Sequence, residues 1–317
     1  NTVTFKKRNI IRYNTSCIIA VKLRNFKLIK VKKSSNNVLS QKWTALGQHI
    51  AYFLHSNTDV AVLTVLADLV TVSVYSVYNM ITSQIQNLAT SFTAGMEAVF
   101  GDMMARREDE KLHKAFEYYE TMISMISVVM FSVTSILIVP FVNLYTANIK
   151  DANYIQPLFA TLIVFSSFVY CLRLPYHYVV IAAGHFKQTK VAAYGEALIN
   201  VLLSIMMVYK FGLVGVAVGT VAANLYRFVF YVKYLSNHIL MRPIRLCMRR
   251  EVINCIDVAM VYVIGKVIIS NVRIDNYFMW IVNGVVISLI GVLVVVVSNL
   301  LFYRDDFYEV LRKVIKR

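Results

Sequence analysis

The chain has 317 residues, of which 58% are hydrophobic and 16% charged, and its mean hydropathy is +0.60. Soluble domains are about half apolar and about a quarter charged, so this balance excludes an ordinary soluble domain and places the chain in a bilayer. The formal charge of +16 would suit a nucleic-acid binder only on a soluble basic surface, which no segment provides. We therefore interpret the cations as topology signals.

Residues 1–42 are basic and lack the apolar core and cleavage site of a signal peptide. This stretch reads like the middle of a longer chain, so we expect part of the protein to lie outside this sequence. We predict that residues 1–42 form a basic cytoplasmic connector close to anionic lipid headgroups.

Hydrophobic runs follow, each long enough to cross a bilayer core, which takes about 20 residues. Lipid tolerates only helices and closed barrels, and the runs lack the short alternation of barrel strands. The expected fold is therefore an all-α integral membrane protein with about eight transmembrane helices. The expected spans are 43–66, 73–98, 115–143, 157–182, 190–209, 212–233, 252–271 and 277–302.

The distribution of Lys and Arg indicates the orientation of these spans. If residues 1–42 are cytoplasmic, that side holds 27 of the 33 Lys and Arg and the opposite side holds three. Such an imbalance supports the helix count and the orientation together. We expect both ends of the chain on the cytoplasmic side, a basic cytoplasmic loop at 234–251, and an interfacial amphipathic tail at 303–317.

Polar residues recur at helical spacing in several spans and predict a hydrated cavity. A helix that packs only in lipid can be apolar all round, so such stripes need water or a polar neighbour. The last two spans are rich in Val, Ile and Leu and are expected to face lipid at the periphery. The stripes are Gln48, Tyr52, Ser56 and Asp59 in the first span; Asn79, Ser83, Gln86, Thr90, Thr93 and Glu97 in the second; Glu196, Asn200 and Ser204 in the fifth; and Thr220, Asn224 and Arg227 in the sixth.

Two carboxylates inside the spans are candidate site residues, because an intramembrane charge is costly unless it is solvated, paired or protonated. Asp59 is predicted to line the cavity or bind a coupling ion; the alternative is a structural cap in Asn57-Thr58-Asp59. Glu196 lies one or two turns beyond Lys190. The position of Glu196 therefore fits three roles equally well: exposure at the membrane interface, pairing with a cation, or contact with a substrate.

Arg173 is the candidate anion contact, because a guanidinium can grip phosphate oxygens in a bidentate way. His177 follows one turn later on the same helix face, with Pro175 between them. The alternative is that Arg173 snorkels to the cytoplasmic interface. Snorkelling is the expectation for Arg227, which lies near a helix end.

No motif of a soluble enzyme or metal protein occurs in the chain. Its four cysteines show no Cys-x-x-Cys spacing and no paired spacing with histidine. A Gly-rich phosphate loop, a nucleophile elbow and a His-Glu-x-x-His motif are also absent. We expect no enzyme activity, no cofactor and no metal.

Several short runs share their pattern with a family of membrane transporters. They are Asn57-Thr58-Asp59; Val72-Ser73-Val74-Tyr75; Ala183-Gly184-His185-Phe186-Lys187-Gln188-Thr189; Glu196-Ala197-Leu198-Ile199-Asn200; and Lys210 to Gly215, followed by Gly219-Thr220. Across residues 38–300 the combination resembles the oligosaccharide flippases of bacterial polysaccharide biosynthesis (O-antigen or capsule, Wzx-type). These belong to the multidrug/oligosaccharidyl-lipid/polysaccharide exporter superfamily.

The resemblance implies two six-helix lobes around a central cavity, in some members followed by two further helices. Residues 43–233 would then be a six-helix C-terminal transporter lobe and 252–302 the two additional helices. The first lobe would come from a missing N-terminal part of the same protein.

By the same implication, the whole protein would move an undecaprenyl-diphosphate-linked oligosaccharide across the bacterial cytoplasmic (inner) membrane. A polar headgroup needs a hydrated path lined by amides and hydroxyls, with a cation for the diphosphate. The candidate substrate-binding residues are Arg173 and His177 for the diphosphate and Asn79, Gln86 and Asn200 for the sugars; the candidate ion-coupling residues are Asp59 and Glu196.

Three other interpretations stay open on the sequence. A cation-coupled multidrug exporter of the same superfamily would have little need for Arg173. A membrane glycosyltransferase or polymerase would usually show a large external loop or a cytoplasmic catalytic domain, and the external connections here are short. The chain could also be a truncated, non-functional fragment.

Overall fold

The computed structural model describes residues 57–304, apart from 271 and 273, together with Leu46, Phe307 and Tyr308. The expected connector 1–42, most of the expected tail 303–317, and Gln48, Tyr52 and Ser56 lie outside the described residues.

All regular secondary structure in the described residues is helical, which confirms the all-α class. Five of these helices, α4 to α8, are long and apolar enough to cross a membrane. The helices are α1 (Asn57–Leu66), α2 (Leu69–Ser91), α3 (Met96–Ala105), α4 (Asp109–Tyr145), α5 (Pro157–Ala182), α6 (Phe186–His238), α7 (Ile244–Ser270) and α8 (Tyr277–Phe302).

The helix bounds follow most of the expected spans, with informative differences. The expected spans 190–209 and 212–233 form one helical run, α6, that breaks at Gly212, where the backbone has φ 51° and ψ −125°. A residue with a side chain is strained at this φ, so glycine permits the break. The expected second span does not continue to residue 98, because the chain turns through Gly95 (φ 83°) before α3. Of the expected loop 234–251, only residues 239–243 are non-helical.

Helix α5 is the centre of the packing, since it contacts α2, α3, α4 and α6. Tyr78 fixes α2 against the start of α5. Its hydroxyl donates to the Tyr154 carbonyl oxygen (2.8 Å) and accepts from the backbone N–H of Gln156 (3.0 Å). The Tyr78 ring also meets Phe159 edge-on, with centroids 5.2 Å apart. This anchor sets the rotation of α2 and places the next residue, Asn79, beside α5.

The two halves of α6 pack tightly because glycines occupy their contact. A Cβ added at Gly219 would collide with the Ser204 side chain, and one added at Gly215 would collide with the Met207 carbonyl. Small residues four apart let membrane helices approach closely. The approach brings Asn200 in the first half next to Thr220 in the second.

Helices α7 and α8 pack against α4 and each other. The Trp280 indole nitrogen donates to the Leu137 carbonyl oxygen on α4 (3.0 Å). The exposed side chains of α8 include Ile281, Val285, Leu289 and Leu293, as expected for a lipid-facing helix. Helix α7 differs from the expectation that it simply faces lipid, because it also buries Arg250, Glu251, Asn254 and Asp257.

Candidate functional site: a polar cavity beside a buried charge cluster

A polar cavity of about 320 Å³ opens between α1, α2, α5 and the second half of α6. Amides and hydroxyls dominate its wall, and Asp59 is the charged residue among those that line it. The lining residues are Asp59, Tyr75, Asn79, Thr82, Ser83, Gln86, Asn87, Phe159, Ile163, Ser166, Ser167, Tyr170, Ala217, Thr220 and Asn224.

The Asp59 carboxylate is buried at this wall and accepts hydrogen bonds from neutral donors on α2 and on both halves of α6. Its Oδ2 accepts from the Tyr75 hydroxyl (3.0 Å) and the Thr220 hydroxyl (2.8 Å), and its Oδ1 from the Asn200 amide (3.3 Å). The amide oxygen of Asn200 is buried without a hydrogen-bond partner. Asp59 and Thr220 therefore meet at one point of the cavity wall, and the Asn200 amide nitrogen bonds to both of them from behind it.

The α2 amides that the sequence singled out reach the cavity. Asn79 and Gln86 line it from α2, as does Ser83 between them. Opposite them, the Asn224 amide nitrogen donates to the Ser166 hydroxyl (2.9 Å), while its amide oxygen is buried without a partner. The wall therefore offers both donors and acceptors to a polyhydroxylated ligand.

Behind the wall lies a buried cluster of three charges, Arg173, Glu196 and Arg227. Arg173 Nη1 donates to Glu196 Oε1 at 2.6 Å, and Arg227 Nη1 donates to Glu196 Oε2. Arg173 and Arg227 are each 4% exposed and Glu196 is 0% exposed. The cluster carries one net positive charge, and the Nε donors of both arginines have no hydrogen-bond partner.

These positions decide the alternatives that the sequence left open. Arg173 and Arg227 do not snorkel; the expectation for Arg227 was wrong because Glu196 supplies a buried counter-ion that removes the need to reach water. Glu196 is paired with cations rather than exposed at the interface. Asp59 is the third residue of α1 as described, and it lines the cavity.

His177 joins the same cluster through Tyr231. Its Nδ1 lies 3.3 Å from the Tyr231 hydroxyl, which also accepts from Arg227 Nη2 (3.3 Å). Arg173 rests on the ring of Tyr170, with the guanidinium carbon 4.9 Å from the ring centroid, and Tyr170 lines the cavity.

The structure thus divides the predicted site residues into two groups. Asp59, Asn79 and Gln86 line the cavity. Asn200 lies directly behind Asp59, and Arg173, His177 and Glu196 form the second group around Arg227. Tyr170 links the two groups, because it lines the cavity and its ring contacts the Arg173 guanidinium.

A second buried charge cluster was missed by the sequence analysis. Glu120 of α4 accepts from Arg242 Nη1 (2.8 Å), Arg250 Nη1 (3.0 Å) and the Tyr176 hydroxyl. These contacts join α4 and α5 to α7 and the segment before it. Glu120 lies inside the expected span 115–143, so the argument that flagged Asp59 would also have found it.

Comparisons with known proteins add one partial likeness. No family model matches the sequence, and no curated protein matches it. Over 83% of its length the chain is similar to lipid II flippase MurJ in an inward closed conformation, at 18% identity and a TM-score of 0.47. The chain spans 52% of the length of that structure. Likeness at this level gives no information on the substrate or the mechanism of this chain. The proposed function therefore rests on the cavity and the charge cluster.

Proposed function

We propose that the protein flips a lipid-diphosphate-linked oligosaccharide across the bacterial cytoplasmic membrane during surface polysaccharide (O-antigen or capsule) biosynthesis. The observation that carries the proposal is the combination of a polar cavity with a net positive buried cluster, set among apolar membrane-length helices. A sugar headgroup needs hydrogen-bonding partners in place of water, and the amides and hydroxyls of the wall supply them.

The diphosphate is assigned to Arg173, with Arg227 and His177 beside it. Arginine binds phosphate oxygens through its planar fork, and both arginines keep a free Nε donor. Glu196 then serves as the counter-ion that allows two guanidinium groups to be buried together. Its two arginine partners favour this role, and ion coupling through Glu196 stays a prediction.

Coupling to an ion gradient is assigned to Asp59. The Asp59 carboxylate and the Thr220 hydroxyl, 2.8 Å apart, are oxygen ligands of the kind that a small hard cation prefers. A proton on the carboxyl would use the same site. Either ion would change the charge of the cavity wall during transport.

The exposed face of α2 supports the proposal that a first lobe of the same protein completes the cavity. Its exposed positions include polar side chains, unlike the apolar outer face of α8. Polar groups at membrane depth need water or a protein neighbour. The exposed amides are those of Gln84 and Asn87; the exposed hydroxyls of Ser73, Ser76 and Ser91 bond to carbonyls of their own helix.

The flipping proposal is tested in liposomes that contain a fluorescent undecaprenyl-diphosphate-linked oligosaccharide. A lectin added outside measures the fraction of sugar that has crossed. We expect Asn79→Leu and Gln86→Leu to reduce crossing and Asn299→Leu to preserve it, because the Asn299 amide bonds only within α8. Full activity of both cavity variants would contradict the assignment.

The first-lobe proposal has a separate test, which is to read the coding sequence upstream of residue 1. About six further spans there would support it, since each span needs about 20 residues. A start or stop codon directly before residue 1 would contradict it and favour a fragment that needs a partner.

A cation-coupled multidrug exporter is the second candidate, favoured by the carboxylate of Asp59 beside the aromatic rings of Tyr75 and Phe159 in the cavity. Such a protein would need Asp59 but not Arg173. Ethidium efflux that Asp59→Asn abolishes and Arg173→Lys leaves unchanged would favour the exporter. Loss of oligosaccharide crossing in Arg173→Lys, without ethidium efflux in the unmodified protein, would favour the flippase.

A further inference from the structure

An apolar groove runs along the outer side of α5, away from the polar cavity. Two adjoining pockets of about 330 and 470 Å³ share Phe165, Phe168, Cys255 and Ala259, so they form one continuous depression. Its walls are α5 and α7, with α4 at the end lined by Phe131 and the second half of α6 at the end lined by Phe228. We call it the α5–α7 groove.

One charged residue, Glu251, lines this groove. Glu251 is 8% exposed, and its Oε2 accepts from the Asn254 amide (3.0 Å). Its Oε1 is buried and has no hydrogen-bond partner. A carboxylate oxygen left unpaired at an apolar surface is costly, so the site is incomplete without a donor or a cation.

The neighbouring charged groups of the protein do not complete it. Arg250, the next residue back along α7, donates to Glu120 Oε2 (3.0 Å) and the Thr121 hydroxyl (2.7 Å) on α4. Glu120 carries the same charge as Glu251 and already receives Arg242. Across the part of the chain that the structure describes, Glu251 forms no ion pair.

We propose that the α5–α7 groove binds a lipid-soluble amine, with the ammonium group at the Glu251 carboxylate and the hydrocarbon body along Phe165, Phe168 and Phe228. The charge is complementary, and the phenyl faces attract cations as well as hydrocarbon. Glu251 is the eighth residue of α7, about 10 Å along the helix, so the ammonium sits near the cytoplasmic membrane interface. The amine of a phospholipid headgroup and a free long-chain amine share this chemistry.

This inference is independent of the proposed flipping. The polar cavity lies on the other side of α5 and shares no lining residue with the groove. Loss of amine binding would leave the cavity assignment standing, and loss of flipping would leave the groove assignment standing.

Cys255 provides the measurement, because it is an exposed thiol in the groove whereas Cys171 and Cys247 are buried. The protein carrying Cys17→Ser is labelled with a maleimide in detergent, with dodecylamine or dodecanol present. The two probes have the same hydrocarbon chain and differ in the cationic group. We expect dodecylamine to slow Cys255 labelling at far lower concentration than dodecanol.

Glu251→Gln should weaken protection by dodecylamine about 10- to 100-fold, the value of one hydrogen bond to a charged group. Glu251→Asp should retain part of it, and Glu97→Gln, at an exposed carboxylate on α3, should retain all of it. Equal protection by the two probes, or undiminished protection in a folded Glu251→Gln variant, would overturn the proposal in favour of a purely hydrocarbon groove. If Glu251→Gln fails to fold, the comparison of dodecylamine with dodecanol in the protein that keeps Glu251 still tests the proposal.

Nanodiscs distinguish the two sources of the amine. Slower Cys255 labelling in phosphatidylethanolamine than in phosphatidylglycerol would assign the groove to a phospholipid amine. Equal labelling in both lipids, with dodecylamine still protective, would assign it to a free amine. Absence of protection by every amine would refute the site.

Discussion

Removal of the Glu196 carboxylate is the most severe single change that the described structure predicts for the candidate site. In Glu196→Gln, the guanidinium groups of Arg173 and Arg227 lose their common counter-ion while both remain buried. Since both contact one carboxylate, they lie close enough for their like charges to repel each other. The variant therefore leaves two uncompensated charges where one net charge existed.

The expected loss of stability can be bounded from this geometry. Breaking one buried ion pair by removing a partner typically costs about 3–5 kcal/mol, and Glu196 serves two. Even the single-pair figure is a large share of the roughly 5–15 kcal/mol that holds a folded domain together. An apparent melting temperature lower by on the order of 10 °C is therefore expected.

Thermal unfolding in detergent, followed by the size-exclusion profile after heating, measures this loss. The matched control is Glu97→Gln, because Glu97 is exposed and should melt with the unmodified protein. Replacing Arg173, Glu196 and Arg227 together by Met should regain much of the loss, since an apolar set of similar volume removes the unpaired charges. If Glu196→Gln melts within about 2 °C of the control, the reasoning about the charge cluster is refuted.

Three further predictions concern packing, the second charge cluster and pH. Gly219→Val should lower the free energy of unfolding by about 1–3 kcal/mol, because the valine side chain would collide with Ser204 across the two halves of α6. The control is Ala61→Val, at an exposed position of α1, which should leave the melting temperature unchanged. Glu120→Gln should increase proteolysis between α6 and α7, because Glu120 holds Arg242 in that segment and Arg250 near the start of α7. Unchanged digestion would contradict the role of Glu120 in fixing this segment to α4. Burial, and then the neighbouring His238, lower the pKa of His185 below its ordinary value of 6.5. Its contribution to stability is therefore complete above that value and lost as the pH falls toward the lowered pKa, so His185→Gln should flatten the melting temperature between pH 7 and pH 5, about the range of histidine titration.

The helices could be predicted from hydropathy because lipid leaves few alternatives. The expected span 157–182 coincides with α5, and Gly212 falls between two expected spans that the structure joins into α6. Helix ends in the basic segments, which are expected on the cytoplasmic side, were not predictable in the same way. Residues 244–251 are polar enough to read as a loop, yet they continue α7 because Arg250 is drawn onto Glu120 of α4.

Site residues could be predicted where the spacing along a single helix determines which side chains line the cavity. Helical spacing alone put Asn79, Ser83 and Gln86 on one face, and all three line the cavity. Pairing between helices could not be predicted from spacing. Nothing local to Arg227 shows that Glu196, 31 residues earlier, folds back against it through the break at Gly212.

The distribution of charge in the structure has a functional consequence of its own. The cavity wall keeps neutral donors and acceptors around one carboxylate, while the positive cluster is held behind Tyr170 and neutralised in part by Glu196. A fully exposed arginine pair would bind a diphosphate too tightly to release it, because transport needs binding strong enough for capture and weak enough for exit. In the proposed binding mode, Glu196 competes with the diphosphate for the guanidinium groups of Arg173 and Arg227, so its internal pairs would weaken substrate binding. Glu196→Asp keeps the negative charge but shortens the side chain, so it should lengthen the ion pairs with Arg173 and Arg227. We therefore expect this variant to bind inorganic diphosphate more tightly. Unchanged affinity would show that the arginines do not reach the substrate.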